Sequence, residues 1–216
     1  MSIVIVGAGP NLGLAVARRF GREGFGVGLV SRTQSRLDDL AAQLEGEGIT
    51  AAGAAADIRD AGALAAAITS LGERLGAVEV LEYSPLPARE FMKPILETTV
   101  EDVRGPLEFS VLGAVAAVRA VIGPMRRAGR GTILFTTGGA AINPYPLRAG
   151  VGISFAGEVA YARMLHDELA DQGIHVAHTA IAGSIAPGGD NEPEDIADLL
   201  WSQHVDRATF QTTVGI

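Results

Sequence analysis

Glycines placed where a strand hands over to a helix are the first residues whose spacing bears on chemistry. Residues 6–13 read Val-Gly-Ala-Gly-Pro-Asn-Leu-Gly, after a short β-branched run and before a helical pattern opening at Leu12. Gly7 permits a tight turn, and Gly7 and Gly9 let backbone N–H groups approach a pyrophosphate. Gly13 lets the following helix pack on the strand, and the helix start at Asn11 and Leu12 favours negative charge. A tight turn in some other α/β protein is the alternative. The end of the second strand reads Leu29-Val30-Ser31-Arg32-Thr33, with no carboxylate before Asp38. A site for NAD(H) places an acid there, on the ribose hydroxyls. Here Ser31 takes the acid's place, and Arg32 is set to fork onto a 2′-phosphate. The expected cofactor is NADP(H), with NAD(H) the lesser candidate and a solvated loop arginine the plain reading of Arg32.

The elements that must hold these residues follow from hydrophobic periodicity. Strands are predicted at Ile3–Val6, Gly26–Ser31, Thr50–Ala55, Val78–Leu81, Thr132–Thr136 and His175–Ile181, with a last one at Thr209–Val214. Helices are predicted over Leu12–Arg22, Gln34–Leu44, an alanine-rich run to Leu75, a long segment ending near Arg127, Gly152–Asp171 and Pro193–Ser202. Strands separated by helices require a parallel sheet covered on both faces. The expected fold class is therefore α/β, a Rossmann-type doubly wound parallel sheet of about seven strands, in a single domain over residues 1–216. The irregular segments Ser84–Pro94, Gly138–Gly150 and Gly183–Pro193 follow strand carboxyl ends, where open α/β sheets bind ligands.

On these motifs the whole chain resembles the short-chain dehydrogenase/reductases. Their first turn reads Thr-Gly-x-x-x-Gly-x-Gly. Gly7 and Gly13 match its first and third glycines, and Asn11 stands at the second, as the non-glycine residue that best tolerates a left-handed backbone. Asp57-Ile58 matches the pair that contacts the adenine, and Gly173-Ile174-His175-Val176 matches the entry to the sixth strand. Ala182-Gly183-Ser184-Ile185 is similar to the Pro-Gly segment beside the nicotinamide, with Gly183 and Ile185 expected on the cofactor. The Asn-Asn-Ala-Gly after the fourth strand reads Glu82-Tyr83-Ser84-Pro85, which places Ser84 against the cofactor.

The resemblance implies carbonyl reduction or alcohol oxidation by a Ser, a Tyr and a Lys, helped by an Asn. Thr137 stands at the Ser position and keeps a hydroxyl. Counting from Thr137 puts Gly150 and Ser154 at the Tyr and Lys positions, and counting back from Gly173 puts Val151 and Phe155 there. The only lysine is Lys93, and Ser110 replaces the Asn. The chain is thus expected to be an atypical NADP(H)-dependent oxidoreductase acting on an unidentified small molecule. The alternative is a non-catalytic NADP(H)-binding sensor or partner subunit. Tyr145 is the best spare acid, although packing between Pro144 and Pro146 is its plainer role. Glu82 reads as a satisfied strand-end carboxylate and Tyr161 as core or interface. His166, His175, His178 and His204 show no metal spacing, so no metal is expected.

Composition narrows the rest. A formal charge of −8 repels phosphate backbones, so nucleic acid is not an expected partner. The absence of Cys removes disulfides and thiol chemistry. The run Ser2–Val6 is too short for a signal peptide or membrane span, so a cytoplasmic protein is expected, with no membrane partner. By analogy with relatives, small and apolar residues at Ala114, Ala117, Val118, Ala156 and Ala160 predict a homodimer or homotetramer through the helices at 106–127 and 152–171.

Overall fold

The first strand, β1 (Ser2–Val6), is buried along its whole length because its β-branched side chains cover both faces of the sheet. In the computed structural model, which describes residues 1–215, β1 lies near the centre of a seven-stranded parallel sheet. The other strands are β2 (Gly26–Ser31), β3 (Ala51–Ala55), β4 (Val78–Tyr83), β5 (Gly131–Gly138), β6 (Ile174–Ile181) and β7 (Gln211–Val214), in the order β3-β2-β1-β4-β5-β6-β7. The anticipated doubly wound α/β sheet is present. Residue 216, the end of the anticipated single domain, lies outside the described residues. Strand order reverses between β1 and β4, so their carboxyl ends diverge into a crevice.

Helices cover both faces. One side holds α1 (Leu12–Arg22), α2 (Gln34–Gly46) and α7 (Pro193–Asp206), packed over Ile3, Ile5, Val80 and Leu134. The other holds α3 (Ala61–Leu75), α5 (Gly113–Ala128) and α6 (Ala149–Leu169), packed over Val4, Leu81, Ile133 and Phe135, with α4 (Val100–Leu107) laid against α6. Each fully buried Ile, Val or Leu contributes about 1.5–3 kcal/mol to these layers.

The structure departs from the predicted elements at several boundaries, with β5 longer at both ends and α7 running on to Asp206. Strand β4 continues to Tyr83 because Glu82 and Tyr83 keep the ladder with Leu134 and Phe135. Helix α6 begins at Ala149, three residues early. The long helix is one continuous run from Val100 to Ala128, started by a Thr99–Asp102 capping box and widened into a π-helical turn at Glu108–Leu112, just after Pro106. By length and composition this run is apolar enough to cross a bilayer, but Ala114, Ala117, Val118 and Val121 are buried in the core.

Candidate functional site

The glycine turn is held from below. The N–H groups of Gly7 and Ala8 both donate to Val30 O, at 2.9 and 3.0 Å. Gly7 has φ +98°, and a Cβ there would lie 2.6 Å from Pro85 Cα, so only glycine fits. A Cβ on Gly13 already sits at 3.0 Å from Ala8 Cα, which sets how closely α1 approaches the turn. Above Gly9 the space is open. That is the shape a pyrophosphate needs.

Asn11 is there for a different reason from the one its type suggested. Its backbone is at φ −96°, not in the left-handed region. Its side chain instead donates from Nδ2 to Ile185 O at 3.0 Å, tying the turn to the loop after β6. That loop is itself cross-tied. Ser184 N and Oγ donate to Asp190 Oδ2 at 2.7 and 2.9 Å, and Asn191 Nδ2 donates to Ala182 O at 2.8 Å.

Two clefts meet at the turn, of about 860 and 720 Å³, sharing Gly7, Gly9, Pro10, Pro85 and Leu86. Asn11, Leu12, Gly13, Ser84, Gly183 and Ile185 line the first, with Thr137 and Tyr145. Ser31, Arg32, Asp57 and Ile58 line the second. Sequence reasoning missed Arg36 and Arg59 there. Arg36 lies one helical turn beyond Arg32, a spacing that could have found it. Arg59 is paired with Asp57 at 3.0 Å and holds that carboxyl below the usual range, chiefly through its side-chain hydrogen bond. Arg32 and Arg36 are in no salt bridge among the described residues.

The structure also decides between the two registers on α6. Gly150 faces away from the cleft, since a Cβ on it would meet Pro106 Cγ at 2.8 Å and Phe91 O at 3.0 Å. Ser154 is buried and hydrogen-bonded to Ser110 Oγ at 3.3 Å and Val151 O at 3.2 Å. Val151 and Phe155 line the cleft beside Thr137. Of the two registers counted from the sequence, the one that faces the cleft thus carries two apolar side chains. Lys93 is bonded to Asp102 at 2.8 Å, away from the cleft. Tyr145 stands half exposed at the cleft wall.

Thr137 is buried at the end of β5, and its Oγ1 lies 2.8 Å from His178 Nε2. Burial pushes His178 down to about 4, so it is neutral at pH 7. Glu82 corrects the sequence reading: it is fully buried, and only one of its oxygens is partnered. Oε2 accepts from Ser84 Oγ at 2.8 Å, Oε1 has no well-formed hydrogen bond among the described residues, and burial pushes the carboxyl up to about 8 against the lowering pull of the Ser84 and Thr136 hydroxyls. Glu158 on α6, unremarked in the sequence, is likewise buried and raised well above the usual range by desolvation. Tyr83 is core, donating to Phe109 O in the π-helical turn. Tyr161 is half-buried with its ring edge-on to Phe135. His204 Nδ1 bonds Thr132 Oγ1 at 2.8 Å and His166 Nδ1 bonds Val176 O at 2.9 Å. No group of His, Cys, Asp and Glu among the described residues is arranged to hold a metal.

Residues 1–191 match the family described as short chain dehydrogenase. A curated relative, dehydrogenase/reductase SDR family member 4 of Sus scrofa, is 26% identical over 185 residues; the match covers 86% of this chain and spans 64% of that relative. A solved short-chain dehydrogenase from Rhodopseudomonas palustris superposes with a TM-score of 0.88 at 25% identity, covering all of this chain and 98% of the other. A further likeness of fold, TM-score 0.89 at 21% identity over 99% of this chain and 95% of the other, is to the actinorhodin polyketide ketoreductase solved with NADPH. The glycine turn, the crevice at the strand reversal and these matches agree: the chain belongs to the short-chain dehydrogenase family.

Proposed function

We propose that the protein is an NADP(H)-linked oxidoreductase that transfers hydride without the family's Tyr and Lys. The carrying observation is the second cleft. In a chain of net charge −8, Arg32 and Arg36 stand there in no ion pair among the described residues, and Ser31 occupies the place of the ribose-binding acid. A 2′-phosphate would satisfy both guanidinium groups, whereas a ribose hydroxyl would leave them unused.

Gly7, Gly9 and Leu12 would cradle the pyrophosphate, and Asp57 and Ile58 would flank the adenine. Gly183 and Ile185 would line the nicotinamide end, and Ser84, against Gly7, would stand beside the pyrophosphate. The bound nucleotide would supply or accept the hydride. Thr137 Oγ1, oriented by His178, would donate a hydrogen bond to a substrate oxygen. Val151 and Phe155 give the pocket an apolar wall and no acid, so substrates that need little help from a protein-borne proton suit it best. Such positioning alone accelerates a reaction without an acid.

The apolar pair at 151 and 155 also favours a second reading, a cofactor-binding sensor or partner subunit that does no chemistry. An NADPH fluorescence titration followed by a hydride-transfer screen on the same sample separates them. Binding with turnover supports the enzyme, binding without turnover supports the sensor, and no binding refutes both.

We also propose that the chain pairs with a second copy through α6. Ala114, Ala117 and Val118 turn inward onto the core, contrary to their anticipated interface role. Ile153, Ala156, Ala160 and Met164 form an exposed apolar stripe along α6.

A further inference from the structure

Glu82 stands beneath the phosphate-binding turn with no positive charge to meet it. Register fixes its place: it pairs with Ile5 on β1 and Leu134 on β5, and alternation sends its side chain to the α1 side of the sheet, with Val80. Two residues on, the Ser84 N–H donates to Val6 O at 3.0 Å, and a Cβ on Gly7 would lie 2.8 Å from Ser84 C. Ser84 therefore joins Gly7 in the cleft wall while its hydroxyl points back to Glu82 Oε2. Among the described residues the buried Glu82 Oε1 and Thr136 Oγ1 complete no hydrogen bond of good geometry, although the Thr136 hydroxyl lies near enough to lower the carboxyl in part, and Thr136 also lines the cleft.

The neighbours of Glu82 do not neutralise it. On its face of the sheet, β1 and β5 bring Ile5, Leu134 and Thr136, and α1 buries only apolar residues and Gly13. His204 of α7 lies on that face but is held by Thr132 and senses Glu79, not Glu82. Glu158, raised partly by Glu82, adds a second acid rather than a base.

We propose that Glu82 couples dinucleotide binding to a proton: the carboxyl must be neutral for the turn above it to hold a pyrophosphate, and its ionisation expels the nucleotide. This inference rests on the cofactor reading given above. Two effects act together. A neutral Glu82 can donate its own O–H to Ser84 Oγ, which frees the serine hydrogen to point into the cleft at a phosphate oxygen. An ionised Glu82 reverses that bond, turning the serine lone pairs toward the phosphate, and adds an unscreened negative charge below it. Because burial holds the carboxyl up at about 8, the change falls just above neutrality.

The test is nucleotide affinity against pH, by fluorescence for NADPH and NADH and by calorimetry in two buffers of different ionisation enthalpy, between about pH 6.5 and 9.5. For the unmodified protein, Kd should be flat at the low end and weaken by up to about tenfold per pH unit above the transition. Binding near the upper end should take up close to one proton. The slope should be the same for both nucleotides, because both carry the pyrophosphate and the 2′-phosphate is already ionised across the transition. Glu82→Gln should bind with a flat profile and no proton uptake. Tight binding by the unmodified protein with no pH dependence and no proton uptake would overturn the inference while leaving the cofactor reading intact. An identical slope in Glu82→Gln would do the same. If neither nucleotide binds at the low end, the cofactor reading fails and this inference with it. Should Glu82→Gln not fold, the proton count of the unmodified protein decides alone.

Discussion

Thr137 and His178, 41 residues apart in sequence on adjacent strands, share a buried hydrogen bond of 2.8 Å at the cleft end of the sheet. The bond fixes the direction of the hydroxyl that stands where the family resemblance places the Ser. It also makes the imidazole part of the core. His178 sits well below its ordinary value when folded and near 6.5 when unfolded. Its neutral form therefore stabilises the fold above about pH 6.5, and that contribution is lost as pH falls toward about 4. Thermal midpoints measured across this range should drop steadily. His178→Phe should flatten part of the drop, at a cost of about 1–3 kcal/mol at pH 7 for the Thr137 hydroxyl left unpaired. A midpoint unchanged between these pH values would remove His178 as an acid-sensitive element.

Cofactor choice should turn on Arg32. NADPH is expected to bind more tightly than NADH, and Arg32→Asp should weaken NADPH by roughly 10- to 100-fold while sparing NADH, the usual range for losing a charge-assisted hydrogen bond. Calorimetry with both nucleotides checks this. Better NADH binding by the unmodified protein would contradict it.

Restoring the missing pair should work in one register only. Val151→Tyr with Phe155→Lys places both groups in the cleft, and turnover of a simple ketone is expected to rise by about 10²-fold or more if the acid was the deficit. Gly150→Tyr with Ser154→Lys would drive a ring into Pro106 and a charge into the core, so it should yield little folded protein. Equal activity from both double variants would contradict the orientation of α6.

Gly7→Ala should abolish nucleotide binding and lower stability. The left-handed backbone costs about 1–2 kcal/mol for an L residue. The added methyl also has to displace Pro85, so the total loss is expected above that figure, readable as a fall in denaturant midpoint. A midpoint equal to that of the parent would show that the turn is more compliant than its geometry implies.

Met164→Glu, on the exposed stripe of α6, should convert a dimer into a monomer at micromolar concentration without changing the circular dichroism spectrum. Light scattering that shows a monomer for the unmodified protein would remove the proposed pairing.

The layout of the sheet was legible because buried parallel strands read as short apolar runs between helical periods. The glycine turn that walls both clefts was legible because glycines leave a fixed spacing. What the sequence hid was orientation. Counting residues left two registers on α6, because the segment between Thr137 and Ala149 has no periodicity to count along, and only packing against Pro106 and Phe91 separates them. Asn11 was placed correctly in the turn but explained by backbone tolerance, whereas its partner, Ile185, lies far along the chain. Glu82 read as an ordinary strand-end carboxylate because sequence carries no measure of burial. The structure puts it two residues deeper in the ladder, under the turn.

The bond from Asn11 Nδ2 to Ile185 O joins residues 174 positions apart. It makes the two loops it connects share their freedom of motion. A ligand that stiffens residues 7–13 leaves less entropy to be lost by residues 183–191, so ordering either segment makes ordering the other cheaper. Occupancy at the phosphate end should therefore be felt at the nicotinamide end as slower amide hydrogen exchange in the loop after β6, even where no atom of the ligand reaches it.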